Sequence, residues 1–360
     1  MDSSTGELLW KVKELRRELG DRVFIPAHHY QEAVITEAAD MVGDSYKLAV
    51  DVAASDAEYI VFCGVGFMAE GAQVLAGEHQ QVLMPHPAAA CPMADMITPR
   101  QAETALEKIR EHAGREIVPV VYMNAHADLK AVCGRFGGAV CTSSNAAKIM
   151  DYYLSQGKGV FFFPDQHLGM NTAFRLGLSA GDICRVLSDG SPVPLAPEHS
   201  RTWSIYLWDG YCPVHREFCP GSIETMRRSY PQLKVIVHPE VSSAVVQAAD
   251  LTGSTEQIYH TLLSAPEGSI WAVGTEVHFV DRVAEACRKR GVTVMPLVRA
   301  SCEDMTLTTL ELLHETLEEI RCGRNEQLQK KRIRVDAAVR DDARRAITKM
   351  IEITEGEVRD

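Results

Sequence analysis

The chain has 360 residues, too many for one ordinary hydrophobic core, so two or three domains are expected. A net charge of −12 leaves no basic field to displace the counterions of a nucleic acid, which excludes that class of partner. The longest apolar runs, such as residues 160–163, are strand-length, so no membrane span is expected. The polar, acidic residues 1–8 carry no signal-peptide pattern, which sets a cytoplasmic expectation.

In chain order, Ser4-x-x-Glu7 reads as a capping box, and Leu8, Leu9, Val12, Leu15 and Leu19 form one helical stripe ending at Gly20. A strand over 23–27 runs into the turn His28-His29-Tyr30-Gln31, followed by a short helix and a second turn, Gly43-Asp44-Ser45. A helix over 46–54, a strand over 59–63, a helix over 67–75 and a strand over 81–84 lead to the loop carrying Cys91. Thr98-Pro99-Arg100-Gln101 is a capping box with proline at the first helical position, opening a helix to about residue 111. Strands over 117–122 and 139–141, a helix over 146–154 and a strand over 160–163 follow. Residues 176–201 read as an irregular insertion with a helix near 180–187, before a strand over 204–208 and the loop of Cys212. Helices over 222–228 and 308–320, the latter opened by Thr308-x-x-Glu311, flank the last third, and residues 333–353 read as one or two amphipathic helices packed outside. Continuous apolar strands alternating with helices predict an α/β fold with parallel sheets covered on both faces.

The chain also repeats. Shifted by 210 positions, His28 falls on His238, Asp40 on Asp250, Gly43 on Gly253, Ser45 on Thr255 and Gly64 on Gly274. Such an offset marks a duplicated unit. The middle third has the same order of parts in diverged form. The expected organisation is therefore three quasi-equivalent αβα domains around a pseudo-threefold axis: 1–98, 99–220 with an insertion near 170–201, and 221–322, followed by a helical tail over 323–360.

Of the ten cysteines, Cys63, Cys133, Cys141, Cys184 and Cys287 sit in apolar settings and read as small buried hydrophobes, and no CxxC occurs. Each repeat ends a strand in a loop with one cysteine: Cys91, Cys212 and Cys302. Loops at the carboxyl ends of parallel strands are where sites gather. Three thiolates suit a [4Fe–4S] cluster with one iron lacking a protein ligand, and zinc on three cysteines is the competing metal. The repeat alone leaves a further reading, three buried cysteines at equivalent positions. The first polar turns carry His28 and Tyr30, then Tyr122 and Asn124, then His238 and Glu240, a set able to supply acid and base groups. The second turns carry Ser45, Ser143 and Thr255 at helix starts, where hydroxyls and backbone N–H groups suit an anion. Any one of them alone would read as a helix cap. Pro164-Asp165-Gln166-His167 reads as a supporting turn, and His86, His126, His260 and His278 as structural or exposed.

The ordered motifs AHHYQ, GDS, FCGVGFMAE, CPMAD, CTSSNAAKI, FFFPDQHLG, GYCPVH, VHPE, GSTEQI and GTE resemble the quinolinate synthase family over about residues 23–313. The resemblance implies three αβα domains around a [4Fe–4S] cluster on Cys91, Cys212 and Cys302. It implies condensation of iminoaspartate with dihydroxyacetone phosphate to quinolinate, phosphate and water in NAD biosynthesis. It assigns catalysis to Tyr30, Tyr122, His215 and Glu240, and substrate binding to His28, Ser45, Tyr122, Asn124, Ser143, His238, Glu240 and Thr255. An L-aspartate oxidase or aspartate dehydrogenase is the implied source of the unstable imine. The sequence departs from the family pattern at His29, Gly66, Ala125-His126, Met170, Val241 and Glu303-Asp304. A cluster-dependent hydro-lyase for another small hydroxy acid and a non-catalytic iron–sulfur sensor are the rival readings.

Overall fold

A computed structural model describes residues 3–196 and 203–356. Along the chain the elements are α1 (Ser3–Leu19), β1 (Val23–Phe24), β2 (Pro26–His28), α2 (Ala33–Ala38), β3 (Met41–Gly43), α3 (Ser45–Ala54), β4 (Tyr59–Val61), α4 (Gly66–Leu75) and β5 (Gln81–Leu83). Then come α5 (Pro99–His112), β6 (Ile117–Tyr122), α6 (Ala127–Arg135), β7 (Ala139–Cys141), α7 (Ala146–Leu154), β8 (Gly159–Phe163), α8 (Gln166–Arg175), β9 (Ile183–Val186), β10 (Pro192–Pro194) and β11 (Ile205–Trp208). After these run α9 (Pro220–Ser229), β12 (Lys234–Val237), α10 (Ser243–Ala248), β13 (Leu251–Thr252), α11 (Thr255–Leu263), β14 (Ile270–Gly274), α12 (Val277–Arg288) and β15 (Thr293–Pro296). The chain closes with α13 (Glu303–Thr306), α14 (Leu310–Arg321), α15 (Asn325–Lys331) and α16 (Ala337–Glu355). They form two compact units, Met1–Cys91 with Ser301–Asp336, and Pro92–Ala300 with Ala337–Asp360. Among the described residues no helix is long and apolar enough to cross a membrane.

In the first unit β1, β4 and β5 pair in parallel. The stretch expected as one strand is broken at Ile25, whose N–H goes to Asp40 Oδ2 at 2.8 Å rather than to the sheet. β2 resumes beyond it and pairs with β3, and a bridge from Ala27 to Cys63 rejoins it to the sheet. The core is the apolar stripe of α1 (Leu9, Val12, Leu15, Leu19) against Val23, Ile25 and Val61 and against Leu313 and Leu317 of α14. Ser4 lies inside α1, one residue past its start, and Glu7 pairs with Lys11 at 2.6 Å. α14 starts one residue later than expected: Thr309 Oγ1 accepts from Leu312 N–H, while Thr308 is buried.

The second unit holds two sheets, β10-β9-β11-β8-β6-β7 and β13-β12-β14-β15, parallel throughout except for the β9–β10 pair. The Thr98–Gln101 capping box is present as expected. The helix expected near 180–187 is instead a single helical turn closed by Ser179 and Asp182, then β9. β9 folds back on β10 through a turn in which Gly190 adopts φ +82°. β10 contains two prolines, which only an edge strand tolerates. Residues 197–201 of the expected insertion lie outside the described residues. Two helices were not expected: α8, which begins in the expected turn after β8, and α6, most of which fills a stretch given no element. α16 packs on α6, burying Ala343, Ala346, Ile347 and Met350. Gly134 permits that approach, since a Cβ there would lie 1.8 Å from the Asp342 carbonyl oxygen.

The repeat is visible in the bonds. Pro26 to His28 register with Met41 to Gly43 as Ile236 and Val237 do with Leu251 and Thr252, at the same offset. Asp250 Oδ2 accepts from Val235 N–H at 2.7 Å, as Asp40 does from Ile25, and each aspartate also takes an arginine, Arg227 and Arg16. In all three sets the second strand lies beside the first, then the third and the fourth. α6 is the middle counterpart of α2 and α10. Replacing Asp250 by Ala should lower the unfolding free energy by about 1–3 kcal/mol in a denaturant titration, because a backbone donor loses a charged acceptor. Asp250→Asn, which keeps an acceptor, should lose less.

Candidate active site

In the second unit, side chains from the carboxyl ends of several strands meet at Glu240, only 3 % exposed. Tyr122, the last residue of β6, donates its hydroxyl to Glu240 Oε1. His215, on the loop after β11, brings Nδ1 to 2.7 Å from Glu240 Oε2, and its Nε2 lies 3.1 Å from Thr275 Oγ1, just after β14. His238, just after β12, stacks on His215 with ring centroids 4.7 Å apart. The N–H of Glu240 points to His238 Nδ1 at 3.4 Å, so the proton of the neutral ring sits on Nε2. Cys212 Sγ lies with the donor atoms of His215 and Glu240, all within 4.8 Å of one another.

Burial works in opposite directions on the two acids here. It pushes Glu240 up, but the His215 and His238 rings and the bonds from His215 and Tyr122 outweigh it and hold the carboxyl well below its ordinary value. Asp165, just after β8 and fully buried, is pushed well above the ordinary range by burial and then by the Glu240 charge, against the N–H groups of Leu168, His167 and Cys212. Its Oδ2 has no hydrogen-bond partner among the described residues, which fits a neutral acid. Burial drives His238 down to about 3, with Glu240 opposing and His215 assisting, so its ring is neutral near pH 7.

At the helix starts the capping is done by neighbours of the expected ligands. Asp44 caps α3, so Ser45 is not the cap, and Ser254 caps α11 reciprocally with Gln257, so Thr255 is not. In the middle set Thr142 N–H bonds Asn145 Oδ1 and Thr142 Oγ1 meets Ser144 Oγ, with Ser143 standing outside both bonds. Ser143, Arg175, Thr252 and Gly253 help line a cavity of about 320 Å³. Asn124 is half-buried in the segment between β6 and α6.

In the first unit His28 and Tyr30 meet edge to face, ring centroids 4.8 Å apart, and Tyr30 N–H points to His28 Nδ1 at 3.2 Å, which repeats the arrangement at His238. The loops of Cys91 and Cys302 are tied together: Asp304 Oδ1 accepts from Ala90 N–H at 3.0 Å. Gln31, fully buried, donates to Met305 O at 3.0 Å and so anchors α13 beside the His28–Tyr30 turn.

No disulfide joins the ten cysteines, and burial sorts them. Cys63, Cys133, Cys141, Cys184 and Cys287 are buried and their thiols are pushed up by desolvation, Cys63 and Cys184 to about 12. Cys91, Cys212 and Cys302 are the three of intermediate exposure. Residues whose part the sequence did not show are Thr275, read there as no more than turn chemistry, Asp165 as an acid pushed toward its neutral form, and Lys130 of α6, a fully buried lysine. The sign of Lys130 in the sequence is a lysine on the apolar face of α6, legible only once that helix is recognised. Of the other histidines, His126 pairs with Asp95, His260 with Glu256 and His278 with Glu276, which caps α12.

An α/β framework whose strand ends gather a carboxylate, two histidines, a phenol and a thiol around a buried centre has the equipment of an enzyme. The family profile described as Quinolinate synthetase A protein matches residues 10–352, and the chain belongs to that family. It is 43% identical over 331 residues to a quinolinate synthase of Nocardioides sp., covering 89% of this chain and 84% of that protein. It is 41% identical over 354 residues to that of Streptomyces coelicolor, covering 97% and 89%, and 39% identical over 346 residues to that of Bacillus subtilis, covering 96% and 92%.

The neutral His238 has a consequence for stability. Its folded value, about 3, lies below the unfolded 6.5, so the unfolded chain binds the extra proton between them and stability falls as pH drops through that window. Unfolding free energy measured at successive pH values should fall by about 1.4 kcal/mol per pH unit from this group below its unfolded value. His238→Asn should flatten that slope.

Proposed function

We propose that the chain is a quinolinate synthase that condenses iminoaspartate with dihydroxyacetone phosphate, releasing phosphate and water. The observation that carries this is the Glu240 centre in a chain of this family: a carboxylate, a phenol and two imidazoles within one buried cluster. The sum needs no oxidant or reductant: a carbon–carbon and a carbon–nitrogen bond form as phosphate and water leave, and the cluster supplies the accompanying proton transfers.

Glu240, kept ionised, accepts the substrate proton directly or through Tyr122, and His215 holds the carboxylate in line. Tyr30 is the second phenolic acid. His28 and His238, each with Nδ1 turned to a backbone N–H, present Nε2–H as donors to carboxylate oxygens of the substrate. Ser143 and Thr255, whose neighbours do the capping, are the proposed phosphate ligands, with Arg175 lining the same cavity as Ser143. Ser45 and Asn124 complete the polar contacts. In this reading the three strand–helix sets are three quasi-equivalent domains.

The residues fit a [4Fe–4S] cluster on Cys91, Cys212 and Cys302. These are the three cysteines neither buried nor fully exposed, each follows a strand, and two of their loops are bonded to each other. A bound cluster with an open iron would supply a Lewis acid for a carboxylate or hydroxyl oxygen. Cys212→Ser should abolish both the iron–sulfur absorption of anaerobically purified protein and quinolinate formation, and retention of both would refute the assignment. Tyr122→Phe should retain the cluster and lower turnover by about 10²–10⁴-fold. Turnover of a hydroxy acid without the triose phosphate would favour the hydro-lyase instead.

A further inference from the structure

We propose that Thr354, in the last turn of α16, is a positioning residue for the Ser143 turn, so that the C-terminal helix tunes how tightly the chain holds its phosphate-bearing substrate. Thr354 Oγ1 donates to the Met350 carbonyl at 2.7 Å, which spends its one proton within the helix. Toward Asn145 it can therefore only accept, and Asn145 Nδ2 donates to it at 3.0 Å. That bond orients the amide. On its other side Asn145 Oδ1 accepts the Thr142 N–H at 2.7 Å.

This relay ends on the turn that carries Ser143. Asn145 is buried, stands just before α7 and makes no side-chain bond to the start of that helix, so its amide is committed to the turn behind it. The Thr142 carbonyl accepts from Asn145 N–H at 3.2 Å and from Ala146 N–H at 2.9 Å, so both backbone groups of Thr142 are held. Thr142 and Ser144 pair their hydroxyls at 2.7 Å, and Ser143, between them, stands outside these bonds and lines the cavity of about 320 Å³. Removing the Thr354 hydroxyl takes an acceptor from Nδ2 of a buried amide, and the amide regains the freedom to turn. The helix end stays docked, because Lys148 Nζ donates to the Thr354 carbonyl at 2.6 Å and Ile347, Met350 and Ile353 are buried beneath it.

That Ser143 meets phosphate rests on the function proposed above, whereas the relay itself does not. In the full-length chain purified anaerobically, Thr354→Val should raise the KM for dihydroxyacetone phosphate about tenfold, the size of one net hydrogen bond, with kcat within about twofold. Thr354→Ala should act alike, and Thr354→Ser, which keeps the hydroxyl, should restore the KM. Ile353→Val loosens the same turn of α16 without touching the relay, so it should lower the melting temperature and leave the KM unchanged. Ser143→Ala should raise the KM, and adding Thr354→Val should raise it no further, since Thr354 acts through Ser143. Hydrogen exchange at the Thr142 amide needs no substrate and should quicken about tenfold in Thr354→Val. Unchanged exchange overturns the relay, whatever the chain catalyses. A KM that rises in Ser143→Ala but not in Thr354→Val overturns the positioning role alone. A KM indifferent to Ser143→Ala overturns the phosphate assignment, and the substrate role of Thr354 with it, while quickened exchange would still uphold the relay.

Discussion

The buried charge of Glu240 is the constraint on which the second unit's site depends. An ionised carboxylate taken out of water is costly unless cationic or donor groups replace its hydration. Here those groups are Tyr122 at the end of β6 and His215 after β11, with the His238 ring after β12 stacked on His215. Thr275 after β14 in turn holds His215. Satisfying one carboxylate therefore fixes where four strands of two sheets end. Its charge is also felt by Asp165, which stays neutral in the same surroundings. The two acids are thus driven apart, Glu240 toward its charged form and Asp165 toward its neutral one.

The repeat supplies the rest by reusing the same local bonds. An aspartate closes the first strand–helix–strand turn in the first and third sets, and a backbone N–H fixes the ring proton of His28 and of His238. The capping of α3 and α11 falls to Asp44 and Ser254, one residue before Ser45 and Thr255. A hydroxyl that caps a helix has its lone pair committed to a backbone N–H. Shifting that duty by one position keeps the next hydroxyl out of the capping bond, as the proposed anion contact at the same helix end requires.

Much of this was legible in the sequence, and the exceptions have physical reasons. β6, β7 and α7 lie where apolar runs place them, and Thr98-Pro99 starts α5 because its cap is purely local chemistry. α6 was missed because its polar start, Ala127-Asp128, reads as the continuation of a turn, and its apolar positions show their period only against α16. β9 was read as helix because Ile183 to Leu187 is short and apolar, a run that periodicity cannot assign, and only the turn at Gly190 returns it to the sheet. His28, Tyr122, His215, His238 and Glu240 could be picked as types. Their partnership could not, because the bond from Tyr122 to Glu240 and that from His215 to Thr275 join residues 118 and 60 positions apart.

The departure after the third cysteine follows the same logic. Glu303-Asp304 adds acidic residues beside a proposed anionic cluster, which by charge alone would weaken it. The Asp304 carboxylate, however, bonds the N–H of Ala90, the residue before Cys91. A charge-assisted bond to a backbone donor disperses part of the negative charge and is stronger than a neutral one. The same four-residue helix is pinned on its other side by Gln31 to Met305 O. Thus an acid that sequence comparison marks as a disturbance is, in the folded chain, a strut between two cysteine loops. In the proposed cluster site that bond is an outer contact, of the kind that orients ligands without touching the metal.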